Sequence, residues 1–228
     1  MPPPYRNPHW QVFAGIPFVP AGPVGYIPAD WVRSHSLTGI PPAAVPIPVT
    51  QLDRAAVRAI CRNPAYPVLL GYVCAMAWGL QGVGQYGPPN VARAWCQRAG
   101  IEQSLIQLRN GGLTRAAAYN LFRTPRGNNN IISGLGPAYF TKLLYFFSPT
   151  NDFYIMDRRT GQAVDVLTGT WVVTVTDEGG INANRSSDYQ AYCDEVDLIA
   201  RELSVTGEQA EEMLWAWRNY NWPGDGPL

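Results

Sequence analysis

The sequence predicts an all-α protein, and three observations carry that prediction. Two stretches near the C-terminus place apolar residues every three or four positions behind a helix-capping signal: Ser187 to Leu203, and Thr206 to Arg218, which opens T-G-E-Q. The apolar run from Val68 to Leu80 has the length of a buried helix and falls short of the roughly 18 residues of a membrane span. Only Thr170 to Asn184 is rich in β-branched residues, and Gly and Asn interrupt it, so it reads as a loop or a small hairpin. With 46% hydrophobic and 15% charged residues over 228 positions, the chain can bury one domain or two lobes, and wholesale disorder is excluded.

Residues 1–50 hold more than half of the 21 prolines and read as an extended segment packed on the body, separate from the helical domain expected over 51–228. Leu52 to Arg62 carries Ala, Val and Ile at helical spacing behind Asp53, and Asn63-Pro64 stops it. Tyr66 to Leu80 is the buried helix, and Gly79 to Pro89 is a glycine-rich loop. Val91 to Arg98 and Ile101 to Leu108 read as short helices. Asn110-Gly111-Gly112 breaks the chain before a further helix, Leu113 to Phe122. The loop TPRGNNN leads to a Gly-Leu-Gly turn, the helix after it, and a last helix over Thr160 to Leu167 before the capped pair.

Net charge is zero, yet its distribution is lopsided. Ten bases against one acid lie between Arg54 and Lys142, and fourteen acids against five bases lie from Asp152 onward. Such a split gives either one strongly basic face that binds phosphates or an electrostatic match between two lobes. Cys61, Cys74, Cys96 and Cys193 stand far apart with no C-x-x-C, and His9 and His35 are the only histidines. No metal site is expected, and the cysteines read as buried free thiols. The N-terminus lacks a basic start followed by an apolar core, so the expectation is a cytoplasmic protein with no membrane partner.

The chemistry concentrates between 132 and 164. Gly134 and Gly136 flank Leu135, and Pro137 takes the first position of a helix, where its missing N–H costs nothing. The turn exposes backbone N–H groups beside a positive helix end, a seat for a phosphate, while Leu135 points inward; glycine also serves ordinary tight turns. Phe153 to Met156 is apolar and Asp157 follows it, at the edge of the core. Asp157 reads as the N-cap of the next helix and equally as a carboxylate able to stabilise positive charge at a sugar C1′ or to orient water there.

From Gly134-Leu135-Gly136-Pro137 through Asp157 the chain resembles the helix-hairpin-helix superfamily of DNA glycosylases. The longer string G-L-G-P-x-x-x-T-K-x-L-Y-F, with Ala77-Trp78-Gly79 upstream and a Tyr-x-x-Tyr-Cys helix near the end, is similar to small bacterial proteins of the 8-oxoguanine glycosylase fold. The resemblance implies a two-lobed architecture with the hairpin at about 125–148, an enzyme without cofactor, and double-stranded DNA carrying a modified base as the partner of a monomer. In the 8-oxoguanine branch a catalytic lysine follows the hairpin and an aspartate follows the lysine; the same steps here land on Ala138 and Asp157. Ala138 cannot attack, so hydrolysis by Asp157 and water is the expected mechanism. Lys142 lies one turn further along the same face, where it can act as nucleophile, contact the base or a phosphate, or pair with an acid.

A glycosylase holds its extruded base with aromatic and polar contacts. Trp215, Trp217, Tyr220 and Trp222 cluster at the C-terminus, with Trp215 the preferred candidate for the pocket, although aromatics at helical spacing commonly serve a core. Arg158 and Arg159 are placed to grip flanking phosphates, or form a solvated face. Asn128 to Asn130 can offer a wedge before the turn, or a plain loop. The implied activity is release of a damaged base such as 8-oxoguanine, or of a hypermodified phage base such as glucosylated hydroxymethylcytosine in antiviral defence. The competing expectation is a non-catalytic DNA-binding module, and a third is a helical protein whose basic half binds an acidic partner.

Overall fold

The computed structural model describes residues 8–40, 46–83, 87–124, 130–176 and 180–217, and all regular structure among them is helical. The N-terminal segment contributes two seven-residue helices, α1 (Pro8–Ala14) and α2 (Pro28–Ser34), and is not purely extended. Proline at the start of each fits a first turn, and single aromatics anchor them: Phe13 and Trp31 are fully buried. The Trp31 indole donates to the Gln81 carbonyl at 2.8 Å.

Six further helices follow: α3 (Arg54–Arg62), α4 (Val68–Trp78), α5 (Gly87–Trp95), α6 (Arg98–Asn110), α7 (Arg115–Tyr119) and α8 (Pro137–Phe147). Asp53 caps α3 by accepting from Ala56 N at 2.7 Å, as its position implied. All eleven residues of α4 are buried, which explains a sequence apolar on every side. It is sheathed by α2, α3, α6 and α8. The third tier comprises α9 (Arg158–Thr168), α10 (Ser186–Leu203) and α11 (Gly207–Ala216), with α10 packed against α7, α9 and α11. Thus one helix group surrounds α4, a second surrounds α10, and α8 touches α7 across the seam.

The expected helix over Leu113 to Phe122 is shorter, because the chain turns after Tyr119 to stack Phe122 on Phe140 with centroids 5.4 Å apart and to drive Arg123 into the interior at 2% exposure. Residues 130–136 form a bridge and turns, so the first arm of the expected hairpin is not helical among the described residues. The segment is pinned instead by Ile131 N to Phe122 O at 2.9 Å and by Gln97, whose side-chain amide bonds both Ser133 N and Ser133 O. Thr170–Asn184 is a loop, with Asn184 bonding the backbone of Thr174 and Ile181. Cys61, Cys74 and Cys193 are buried free thiols, whereas Cys96 is exposed. No helix among the described residues is long and apolar enough to cross a membrane.

Part of the lopsided charge resolves into internal pairs. Arg54 meets Glu211, Arg58 meets Glu208, and Arg115 bridges Asp194 and Asp197, each joining the basic middle of the chain to the acidic C-terminal third. Arg62, Arg109 and Arg123 spend their guanidiniums on backbone carbonyls. Much of the positive charge is therefore structural, while Arg93 and Arg98 are exposed and Arg158 and Arg159 stand partly exposed.

Candidate active site

Where the two helix groups meet they leave a cleft of about 760 Å³. Its wall takes the Gly134 to Gly136 turn and the start of α8 on one side, the start of α9 on another, and Trp215 of α11. Arg54, Trp78, Lys142 and Glu211 also line it, and all four are buried.

Gly134 has φ +85°, and any side chain there would collide with the Asn90 carbonyl, so both conformation and space demand glycine. Its carbonyl accepts from Gln81 Nε2 at 3.4 Å, which ties the turn to the end of α4. Leu135 is fully buried, as expected, and its N–H donates to Ile132 O at 3.2 Å. The N–H groups of Gly136 and Ala138 meet no acceptor among the described residues, and they belong to the positive end of an eleven-residue helix. Buried Arg123 holds the rim beside them by donating to Asn130 Oδ1 at 2.6 Å and to the Asn182 carbonyl.

Asp157 is the N-cap of α9. Its Oδ1 accepts from Arg159 N at 2.9 Å and Thr160 N at 3.0 Å, and the Thr160 hydroxyl accepts from Asp157 N at 3.0 Å. Every one of these carboxylate bonds falls on Oδ1, which fixes the side chain while Oδ2 keeps its lone pairs. Thr160 and Thr141 brace the segment from behind: Thr160 Oγ1 bonds Ile155 O at 3.0 Å, and Thr141 Oγ1 bonds both Met156 O and Met156 N. The capping and cleft-facing roles thus coincide in one residue.

Lys142 is 7% exposed and donates from Nζ to the Ala138 carbonyl at 2.5 Å, one turn back along α8. The side chain therefore runs toward the glycine turn, bringing its amine to the level of Ala138. Burial pushes its pKa below the ordinary lysine value, Asp157 and Glu211 oppose that fall, and Arg54 adds to it. Arg54 is itself pinned by Glu211 and stands over the rings of Trp78 and Tyr145 at 5.3 and 5.2 Å. Desolvation raises the Glu211 pKa against the pull of Arg54.

Sequence reasoning brought Gly134, Leu135, Gly136, Lys142, Asp157, Arg158, Arg159 and Trp215 to this region, and all of them except buried Leu135 line the cleft. Trp217 does not: it is 4% exposed and packs on Phe13, centroids 5.2 Å apart. Tyr220, Trp222, Asn128 and Asn129 lie outside the described residues, while Asn130 is at the rim. Arg54, Trp78 and Glu211 were not anticipated; 157 residues separate Arg54 from Glu211, and no local pattern links them.

A model of the family described as "Putative 8-oxoguanine DNA glycosylase OGG-like protein" matches residues 18–215. The chain belongs to this family. The match runs from the N-terminal segment to Trp215, so it spans both helix groups and every cleft-lining residue named above. No curated protein and no solved structure matches the chain. Among the described residues no group of His, Cys, Asp and Glu is arranged to hold a metal ion.

Proposed function

We propose that the protein is a monofunctional DNA glycosylase that extrudes a modified base from double-stranded DNA into the cleft and hydrolyses its N-glycosidic bond, leaving an abasic site. The observation that carries this reading is the division of labour within Asp157: Oδ1 is held by the first turn of α9, Oδ2 takes no hydrogen bond among the described residues, and the residue lines the cleft. As the base departs with the bonding electron pair, positive charge grows at C1′ and the ring oxygen, and the fixed carboxylate stabilises it and orients the water that adds to C1′. The amides of Gly136 and Ala138, without an acceptor among the described residues, offer a phosphate a seat at the positive end of α8, and Arg158 and Arg159 flank it. Trp215, which also lines the cleft, supplies an aromatic face for the extruded base.

Lys142 supports a second reading. An amine whose pKa burial has lowered is a better nucleophile at neutral pH, and from the level of Ala138 it can condense with the C1′ aldehyde of the abasic product, losing water to give an imine and so adding strand cleavage by β-elimination. The family description favours an oxidised purine as substrate; a hypermodified phage base is the alternative.

Duplexes carrying 8-oxoguanine, alkylated or deaminated bases, or glucosylated hydroxymethylcytosine test the proposal by the abasic sites they yield. Release from one of them that disappears in Asp157→Asn is the expected result. Binding of every duplex without release from any would make the protein a DNA-binding module. Borohydride trapping of wild type but not of Lys142→Gln would establish the lyase reading, and no trapping would leave hydrolysis alone.

A further inference from the structure

Two hydrogen-bond donors in the wall just beneath the cleft surface have no acceptor among the described residues. The indole Nε1–H of Trp78 and the Nε–H of Arg54 are buried without an acceptor among the described residues, and both residues line the cleft, at 9% and 7% exposure. Buried donors are almost always paired, so an orphan in a cleft marks the place of a ligand or water. These two stand together, with the Arg54 guanidinium 5.3 Å from the Trp78 ring centroid. Neither can turn away easily. Arg54 is clamped through both of its terminal nitrogens by Glu211, and Trp78 is wedged edge-on against Phe146, centroids 5.1 Å apart. The Lys142 ammonium, with more donors than its single bond to Ala138 uses, adds to the same floor. Of the two carboxylates that line the cleft, Asp157 and Glu211, the one beside Arg54 is Glu211, and both its oxygens are occupied by Arg54.

A surface of fixed donors whose acceptor is already engaged discriminates by polarity. It satisfies oxygen lone pairs and rejects amino groups, which would face donor to donor. We propose that Trp78 and Arg54 form the base-recognition subsite, selecting an extruded base that presents extra oxygen acceptors over its counterpart that lacks them. The oxygen is either a ring carbonyl of an oxidised purine or a hydroxyl of a sugar appended to a pyrimidine; the shared chemistry is the acceptor. This subsite rests on the glycosylase reading for its ligand, and it is tested separately from catalysis.

Trp78→Phe keeps an aromatic ring and deletes one donor; Arg54→Lys keeps a cation for Glu211 and deletes the other. Fluorescence anisotropy measures the affinity of each protein for four duplexes that differ at one position: 8-oxoguanine and guanine, and glucosylated 5-hydroxymethylcytosine and 5-methylcytosine. The readout is the ratio of affinities within each pair for one protein, so a general loss of DNA binding cancels. Wild type is expected to prefer the oxygen-bearing member of one pair, and each variant to lose about tenfold of that preference. The pair in which the loss appears tells ring carbonyl from sugar hydroxyl. No preference in wild type for either pair, or an unchanged ratio in whichever variant folds, overturns the proposal. A preference that depends on Trp78 in a protein that releases no base would sustain the subsite and refute the glycosylase reading instead.

Discussion

Gly79 is a glycine because Lys142 occupies the space its side chain would need: a Cβ there would stand 2.5 Å from Lys142 Cδ and 2.9 Å from Cε. The notch lets the lysine stem lie along the end of α4 while its amine reaches back to Ala138. Gly79→Ala should therefore push the amine off its position by a side-chain shift, since the clash is with a flexible chain and the Gly79 backbone is unstrained, φ −77°. On the lyase reading the expected outcome is a drop in borohydride trapping of roughly tenfold or more, with base release by Asp157 retained and a stability loss of about 1–3 kcal/mol, measured by trapping yield and urea denaturation. Undiminished trapping with the lysine displaced would remove Lys142 from the chemistry.

The Arg54–Glu211 pair ties α3 to α11 with both side chains almost wholly buried, at 8% and 0% exposure. Glu211→Ala leaves a guanidinium in the interior and should cost about 3–5 kcal/mol, whereas Arg54→Met combined with Glu211→Leu should recover most of that loss. Denaturant midpoints of the single and double variants decide it. Recovered stability without recovered base release would separate the pair's packing role from its place in the cleft.

Asp165 sits in the middle of α9 at 3% exposure and accepts from Val172 N at 2.8 Å and Val173 N at 3.3 Å, clasping the loop that returns to the cleft. Burial pushes its carboxyl up from 3.8 to about 6, against the pull of those two amides. The native state thus holds this proton more tightly than the unfolded chain. Its stabilising contribution is full below pH 3.8 and is lost as pH rises through about 6. At about 1.4 kcal/mol per pKa unit the effect is of order 2–3 kcal/mol. Asp165→Asn keeps an acceptor for the amides without the charge, so it should exceed wild type in stability at pH 8 and match it near pH 3.5. Parallel pH profiles for the two proteins would contradict the assignment.

Those elements were legible in sequence whose signals are local. The caps of α3, α9 and α11 each join residues three positions apart, and α4 declares itself by an unbroken apolar run. Asp157 was found because one residue both ends a hydrophobic run and begins a helix. What was not legible depends on contacts across the chain. The helix after Thr114 stops early because Phe122 is needed against Phe140. The basic middle reads as a surface until Glu208, Glu211, Asp194 and Asp197 fold onto it. The role of Gly79 depends on a lysine 63 positions later in the sequence.

A buried ammonium is a liability to the fold. Because the Lys142 pKa is lowered, the native state binds fewer protons than the unfolded chain between that lowered value and the ordinary 10.5, and stability rises with pH across this window. Lys142→Met, similar in length and without charge, should be more stable than wild type at neutral pH and show a flatter profile, while losing whatever function the amine serves. Thermal melts at pH 7 and pH 10 check both statements, and a less stable variant at pH 7 would count against a buried, strained charge.

The most direct test of the account is the single-turnover rate of abasic-site formation by Asp157→Asn on whichever duplex the wild type processes. Asparagine can still cap α9 through its side-chain oxygen, so stability should change by less than about 1 kcal/mol while the rate falls by about 10²–10³. A folded Asp157→Asn protein that releases the base at the wild-type rate would contradict the central claim.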